Sequence, residues 1–249
     1  MKYTVLSDIG LKRSVNEDCA AMFVRSDFVR LGVIADGMGG HNAGDIASDM
    51  AITQIGKYFE SATPDQFYSV ESIKQWFLEA VKKINKLIFT YSLTHEDCQG
   101  MGTTFLAVVL TGQQKVLCHI GDSRAYEWHE GKMKQLTKDH SYVNVLVDHG
   151  EISAEEAERH PRKNLITKAL GTEKNIEPDF ISLIIPTYSY LLLCSDGLSN
   201  KLSIDDMTNI LSSNDSVDEK GTQLVGLANA KGGEDNISLV LIANMKEGV

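Results

Sequence analysis

The chain has 249 residues, 43% of them hydrophobic, and its 34 acidic residues against 24 basic ones give a net charge of −10 at pH 7. That length allows one large domain or two small ones with a sizeable core, and the acidic balance, without any Lys/Arg-rich run, excludes a nucleic-acid or anionic-membrane surface. The opening MKYTVLSDIG lacks the apolar core of a signal peptide, and no run approaches the roughly 18 apolar residues of a membrane span, so a cytoplasmic protein is expected.

In chain order, short alternating or apolar segments predict strands at 3–6, 20–24 and 29–35. A helix is expected directly after the glycine cluster that follows, from about Ala43 to about Phe59. In the next helix Ile73, Trp76, Phe77, Ala80, Val81, Ile84, Leu87 and Ile88 share one stripe, with Ser72 and Gln75 as a capping box. Strands at 104–110, 115–120 and 124–128 follow. The turns Thr111-Gly112-Gln113-Gln114 and Glu130-Gly131-Lys132 predict hairpins, hence antiparallel pairing. Ser153 and Glu156 cap a short helix ending near His160-Pro161. Strands at 180–184 and 190–194 precede a helix capped by Ser216 and Glu219, which stops at Gly232-Gly233 before a last strand at 237–242. No repeat or linker divides the chain, so one domain is expected over 1–249. Grouped strands with single-striped helices predict an α+β fold of two packed sheets flanked by helices.

Cys19, Cys98, Cys118 and Cys194 form no C-x-x-C pair, so neither a zinc knuckle nor a disulfide framework is indicated; three of them sit in apolar surroundings, and buried structural thiols are expected.

Charge recurs where apolar runs stop. Leu31-Gly-Val-Ile-Ala-Asp36-Gly37 is echoed by Leu191-Leu-Leu-Cys-Ser-Asp196-Gly197; a third run ends at Asp122, and Asp235 immediately precedes the last strand. Each aspartate singly reads as a turn residue. Gathered in one place they would repel, and each would take up a proton unless a cation neutralised them. Oxygen ligands suit Mg²⁺ or Mn²⁺, and the absence of Cys/His spacing argues against zinc. The glycines of VIADGMGGHNAG then permit a tight turn and expose the Gly37 carbonyl. The dinucleotide fingerprint fails because Asn42 stands where a third glycine belongs, and neither Gly56-Lys57 nor Gly131-Lys132 continues as a P-loop. Arg13 singly reads as a solvated surface group, but four residues before Glu17-Asp18 it could hold a phosphate through paired hydrogen bonds.

Six collinear blocks resemble the metal-dependent protein phosphatases of type 2C in their compact bacterial Ser/Thr form. They are Arg13-Ser-Val-Asn-Glu-Asp18, Asp36-Gly-Met-Gly-Gly-His-Asn-Ala-Gly44, Gly100-Met-Gly-Thr-Thr104, Gly121-Asp-Ser-Arg-Ala-Tyr126, Leu193-Cys-Ser-Asp-Gly-Leu198 and Gly233-Glu-Asp-Asn236. The resemblance implies a four-layer αββα sandwich of two mainly antiparallel sheets, with two Mn²⁺ or Mg²⁺ ions in the cleft at the sheet ends. It implies that Asp36 bridges both ions, that the Gly37 carbonyl binds one, and that Asp196 and Asp235 bind the other. A third, looser ion would be held by Asp122 with help from Asp196. Glu17 and Asp18 would act directly or through metal-bound water, and Arg13 would grip the substrate phosphate. The implied reaction is hydrolysis of phosphoserine and phosphothreonine in proteins by metal-activated water without a phosphoenzyme, with a Ser/Thr kinase as counterpart. Met38 stands where many eukaryotic members carry histidine, and His41 occupies a different position, which leaves the proton donor open. Residues 141–170 resemble the family's variable flap.

A rival reading uses Cys118-His-Ile-Gly121-Asp-Ser-Arg124, the C-x-x-G-x-x-R spacing of cysteine-nucleophile phosphatases. That loop should open a helix, whereas the residues that follow read as a hairpin. A non-catalytic phosphoprotein-binding pseudophosphatase is the other alternative; retention of the whole acidic cluster weighs against it.

Overall fold

Strands that are apolar on both faces must be covered on both sides, and that requirement organises this chain. The computed structural model describes residues 1–39 and 43–244. Three strands come first, β1 (Lys2–Asp8), β2 (Asp18–Val24) and β3 (Arg30–Met38), followed by α1 (Gly44–Ser61) and α2 (Val70–Thr94). Then come β4 (Gly102–Thr103), β5 (Phe105–Leu110), β6 (Lys115–Ile120), β7 (Arg124–His129) and β8 (Lys132–Gln135). Two short helices, α3 (Tyr142–Asp148) and α4 (Ala154–Arg159), lead to β9 (Asp179–Ser182) and β10 (Ser189–Cys194). The chain closes with α5 (Asp196–Ser199), α6 (Ile204–Leu211), α7 (Val217–Ala230) and β11 (Ile237–Asn244).

The strands form two sheets, ordered β1-β11-β10-β7-β8 and β2-β3-β5-β6-β9, with β4 paired to β3. Every pairing is antiparallel. Successive side chains point to opposite faces, so each continuous apolar run feeds two cores. From β5, Phe105, Ala107 and Val109 pack with α1 and α2, while Leu106, Val108 and Leu110 meet Leu191, Leu193, Val240 and Ile242 of the other sheet. From β11, Leu239 and Leu241 turn outward to Leu224 and Ala228 of α7. Three stacked cores thus separate four layers, helices outside and sheets within, as the resemblance implied.

Several boundaries differ from expectation. The capping box of α2 is Ser69 with Ser72, not Ser72 with Gln75, so the helix starts one turn earlier; Leu87 falls off the stripe and is exposed. Residue 184 lies beyond β9, its side chain in solvent. The apolar run at 29–35 does not stop at Asp36: β3 continues to Met38 by pairing with β4. The short polar β8 and the brief helices α3 and α5 carry too little periodicity to be read from sequence; α6, also missed, is amphipathic, with Met207 and Leu211 buried and a Ser203/Asp206 cap at its start. The caps at Ser153/Glu156 and Ser216/Glu219 are present.

Phe59 anchors the layer beneath α1. Its ring centroid lies 5.4 Å from that of Phe67 and 6.0 Å from that of Trp76, and the Arg25 guanidinium sits 5.7 Å from it. Arg25 also donates to the Phe59 carbonyl at 2.8 Å, neutralising a helix end that has no basic residue in its own last turn. Phe59→Ala is expected to cost about 3–5 kcal/mol by loss of buried area and a residual cavity, measured by urea unfolding monitored by circular dichroism.

Candidate active site

Antiparallel pairing brings strand ends together. Asp18 at the start of β2 pairs with Asp36 near the end of β3, and Ser195 after β10 donates its N–H to the Ser238 carbonyl of β11 while its hydroxyl accepts the Ser238 N–H. The turn after β6, carrying Asp122, lies at the same end, because Ile120 pairs with Phe105 and Thr104 donates its N–H to the Asp36 carbonyl at 2.8 Å. The result is a cavity of about 370 Å³ lined by Arg13, Glu17, Asp36, Gly37, Met38, Asp122, Asp196 and Asp235. Asp18 is buried just behind it. Every candidate site residue read from sequence therefore lies at this cavity or, for Asp18, directly behind it, and both sheets contribute.

Polar bolts hold the sheets in register there. The Ser195 hydroxyl donates to Asp18 Oδ2 at 2.6 Å, and the Ser238 N–H donates to the same hydroxyl at 3.0 Å. Thr104 and Ser123 share a hydroxyl contact of 2.7 Å, and Thr104 Oγ1 accepts the Asp36 N–H at 2.9 Å. Asn236 ties down the loop that carries Arg13: its amide donates to the carbonyls of Ile9 and Val15 and its oxygen accepts the Glu17 N–H at 2.9 Å. Sequence reasoning missed Ser195, Ser123 and Asn236 as parts of the site. All three, and Thr104 with them, do fall inside the collinear blocks. Asn164 and Ile166, from the 141–170 segment, also line the cavity.

The two Asp-Gly pairs have a common cause, and it is not a turn. A Cβ on Gly37 would lie 2.0 Å from the Gly44 carbonyl oxygen, and one on Gly197 would lie 2.0 Å from that of Asn236. Neither glycine has positive φ. Each lets a backbone approach so closely that the preceding aspartate is delivered to the cavity.

Desolvation dominates the electrostatics. Burial, then Ser195 acting in the opposite sense, sets the Asp18 carboxyl at about 7. Burial with the Asp196 charge pushes Asp122 to about 7 as well. Asp36 rises well above its ordinary value through burial and then through Asp18 and Asp196, and Asp196 rises through burial and Asp235. Arg13 Nη2 lies 2.8 Å from Asp235 Oδ2, with Nη1 3.9 Å from Glu17 Oε2.

Among the described residues no three acid, His or Cys side chains close into a ready-made metal cage. The donor set nonetheless fits hard divalent cations: carboxylates from both sheets that cannot ionise together in a desolvated cavity are the ligands such ions require. Met38 lines the cavity; His41, with Gly40 and Asn42, lies outside the described residues.

The rival thiol site does not assemble. Cys118 is fully buried in the core beneath α1 and α2, and burial pushes its thiol well above the ordinary range. Arg124 forms a paired contact with Asp139, Nε to Oδ1 at 3.0 Å and Nη2 to Oδ2 at 2.7 Å, and it begins a strand rather than a helix. All four cysteines are free thiols; Cys98, Cys118 and Cys194 are buried as expected, whereas Cys19 is partly exposed.

Residues 12–241 match the family described as protein phosphatase 2C. The serine/threonine phosphatase stp of Listeria welshimeri is 40% identical over 236 residues, 95% of this chain and 93% of that protein. Protein phosphatase PhpP of Streptococcus pneumoniae is 38% identical over 247 residues, covering 99% of both. The solved structure of the S. agalactiae serine/threonine phosphatase superposes with a TM-score of 0.92 at 38% identity, over 97% of this chain and 98% of that one. The chain belongs to the protein phosphatase 2C family, whose phosphatases use divalent metals.

A raised carboxyl pKa has a stability consequence of definite sign. Such a group binds its proton more tightly folded than unfolded, so the metal-free fold loses stability as pH rises from about 4, the unfolded value, through the folded value. Asp36→Asn, which removes one charge from the cluster, should therefore raise the melting temperature of chelator-treated protein at pH 7.5 by about 2–4 °C for each kcal/mol relieved. The gain should shrink as pH is lowered toward 4. Scanning calorimetry reads it, and a gain that does not change with pH contradicts the assignment.

Proposed function

We propose that this chain hydrolyses phosphoserine and phosphothreonine in proteins, using Mn²⁺ or Mg²⁺ held by Asp36, the Gly37 carbonyl, Asp196 and Asp235, with Asp122 serving a looser ion. The observation that carries the reading is the convergence of carboxylates from both sheets on one cavity with an arginine at its rim. Two core ions and a third weaker one are the expected complement. When bound, the ions supply a nucleophile by lowering the pKa of water and offset charge on the phosphoryl oxygens.

The chain's own residues do the rest. Arg13 projects from an exposed loop at the cavity mouth, where its planar fork can hold two phosphoryl oxygens. Asn236 fixes that loop, so the phosphorus is oriented before reaction. Asp18, clamped by Ser195, and Glu17, raised by burial although Arg13 and the Gly44 N–H oppose this, are the groups able to accept or return protons at the cavity wall. The thiol of Cys118, the candidate nucleophile of the rival reading, is buried away from the cavity, in keeping with direct hydrolysis. Residues 141–170 form the flap of a single 1–249 catalytic domain and present Asn164 and Ile166 to the substrate side.

Phosphorylated proteins are the substrates of this reading, and a Ser/Thr kinase is its counterpart. Free thiols suit a reducing, cytoplasmic setting, and no described helix is long and apolar enough to cross a membrane.

Phosphate release from a phosphothreonine peptide, with and without Mn²⁺, tests the reading. Turnover should require the metal. Asp36→Asn should lower it more than about 100-fold, exceeding the loss that even outer-sphere changes produce at metal sites. Arg13→Ala should raise KM about 10-fold, the scale of one charge-assisted contact. Cys118→Ser should retain turnover. Peptide binding without any metal-dependent release would instead support a pseudophosphatase.

A further inference from the structure

The turn that carries Asp122 is held from outside. It crosses from β6 in one sheet to β7 in the other, and Gly121 adopts φ +106°, where an added Cβ would lie 2.6 Å from Thr104 Cγ2. Gly121 therefore has no side chain with which to fix the turn. On one side the Thr104–Ser123 hydroxyl contact holds it. On the other, Gly121 exchanges two hydrogen bonds with one residue: its N–H donates to His140 Nδ1 at 3.0 Å, and its carbonyl accepts the His140 N–H at 2.9 Å.

The surroundings of His140 select one form of its ring. Because Nδ1 accepts from Gly121, the ring proton sits on Nε2. Nε2 lies 3.2 Å from Asp179 Oδ2, close enough for attraction although not aligned for a hydrogen bond, and Lys168 Nζ lies 3.7 Å from the other Asp179 oxygen. The buried His119 ring stacks on His140 at 4.8 Å and 21°. Burial, then the repulsion a charged His140 would exert, drives His119 to about 3, and burial also lowers His140, so the stack favours uncharged rings. The His140 carbonyl accepts the Thr167 N–H at 2.7 Å, and Ser141 bridges to Ile166. Both ends of the 140–168 segment thus close on this residue, next to the Asp122 turn.

We propose that His140 is a positioning residue for Asp122: by gripping both polar groups of Gly121 it fixes the direction in which the Asp122 carboxylate faces the cavity, and Asp179 keeps the ring in the form able to do so. The inference rests on the reading of Asp122 as ligand of the looser ion. It ties the flap's base mechanically to that ligand.

Calorimetric titration of metal-stripped protein with Mn²⁺ alone tests it, with thermal melting as a check on folding. His140→Phe keeps an aromatic ring against His119 but offers no acceptor to Gly121, and is expected to weaken the weakest resolved Mn²⁺ step at least about 10-fold while sparing the tighter ones. His140→Asn, whose amide oxygen can take the place of Nδ1, should recover to within about threefold of wild type. In an Asp122→Ala background His140→Phe should add nothing, the non-additivity expected of groups acting as one. Should His140→Phe not fold, Asp179→Leu at a half-exposed strand position gives the same reading, with about a threefold weakening that disappears in Asp122→Ala. Equal losses with and without Asp122, an Asn variant as impaired as the Phe variant, or unaltered titrations of the His140 and Asp179 variants overturn the proposal while leaving the phosphatase reading intact. A wild-type chain that neither binds Mn²⁺ nor releases phosphate overturns both.

Discussion

Carboxylates crowded into a desolvated cavity repel one another, and the rest of this structure can be understood as the means of holding them there. Asp18, Asp36, Asp122 and Asp196 are all pushed toward protonation by burial first, with neighbouring carboxylates adding to it and hydrogen bonds from Ser195 and Ser238 opposing it at Asp18. A fold governed by its own stability alone would disperse them. Here two sheets deliver them from opposite sides, and serine, threonine and asparagine side chains brace the strand ends where the repulsion acts. The bracing is local to that end; away from it the sheets meet through the apolar side chains of Ile34, Leu106, Val108, Leu191, Leu193 and Val240.

Close backbone approach is the second constraint, and it explains the glycines. The Asp36-Gly37 and Asp196-Gly197 pairs deliver acids from different sheets by the same device, a glycine pressed against a carbonyl oxygen at a distance no side chain tolerates. Deleting that space would move a carboxylate of the cavity, not merely loosen a turn. Tight packing and site geometry are therefore the same property at these positions.

Much of this was legible in the sequence because it is written locally. Apolar runs marked the long strands, Ser-x-x-Glu marked two helix starts, and acids at run ends marked the site. What escaped depends on distant partners. Ser195 reads as an ordinary residue after a strand until Asp18, 177 positions away, receives its proton. Asn236 looks like a turn residue, yet its amide spans to carbonyls more than 200 positions distant. The short β8 has a polar sequence and exists because β7 offers it an edge, and the start of α2 shifted because Ser69 and Ser72 form a reciprocal cap that the Ser-x-x-Glu/Gln pattern does not describe.

Desolvated and crowded together, these acids favour their protonated forms until divalent cations entering the cavity displace the protons. Mn²⁺ binding to metal-stripped protein at pH 6.5, followed by calorimetry in buffers of different ionisation enthalpy, counts the protons released. On the order of one to two protons per chain are expected. Uptake of Mn²⁺ with no proton release would contradict the claim, because it would mean that the carboxylates were already ionised together without the metal.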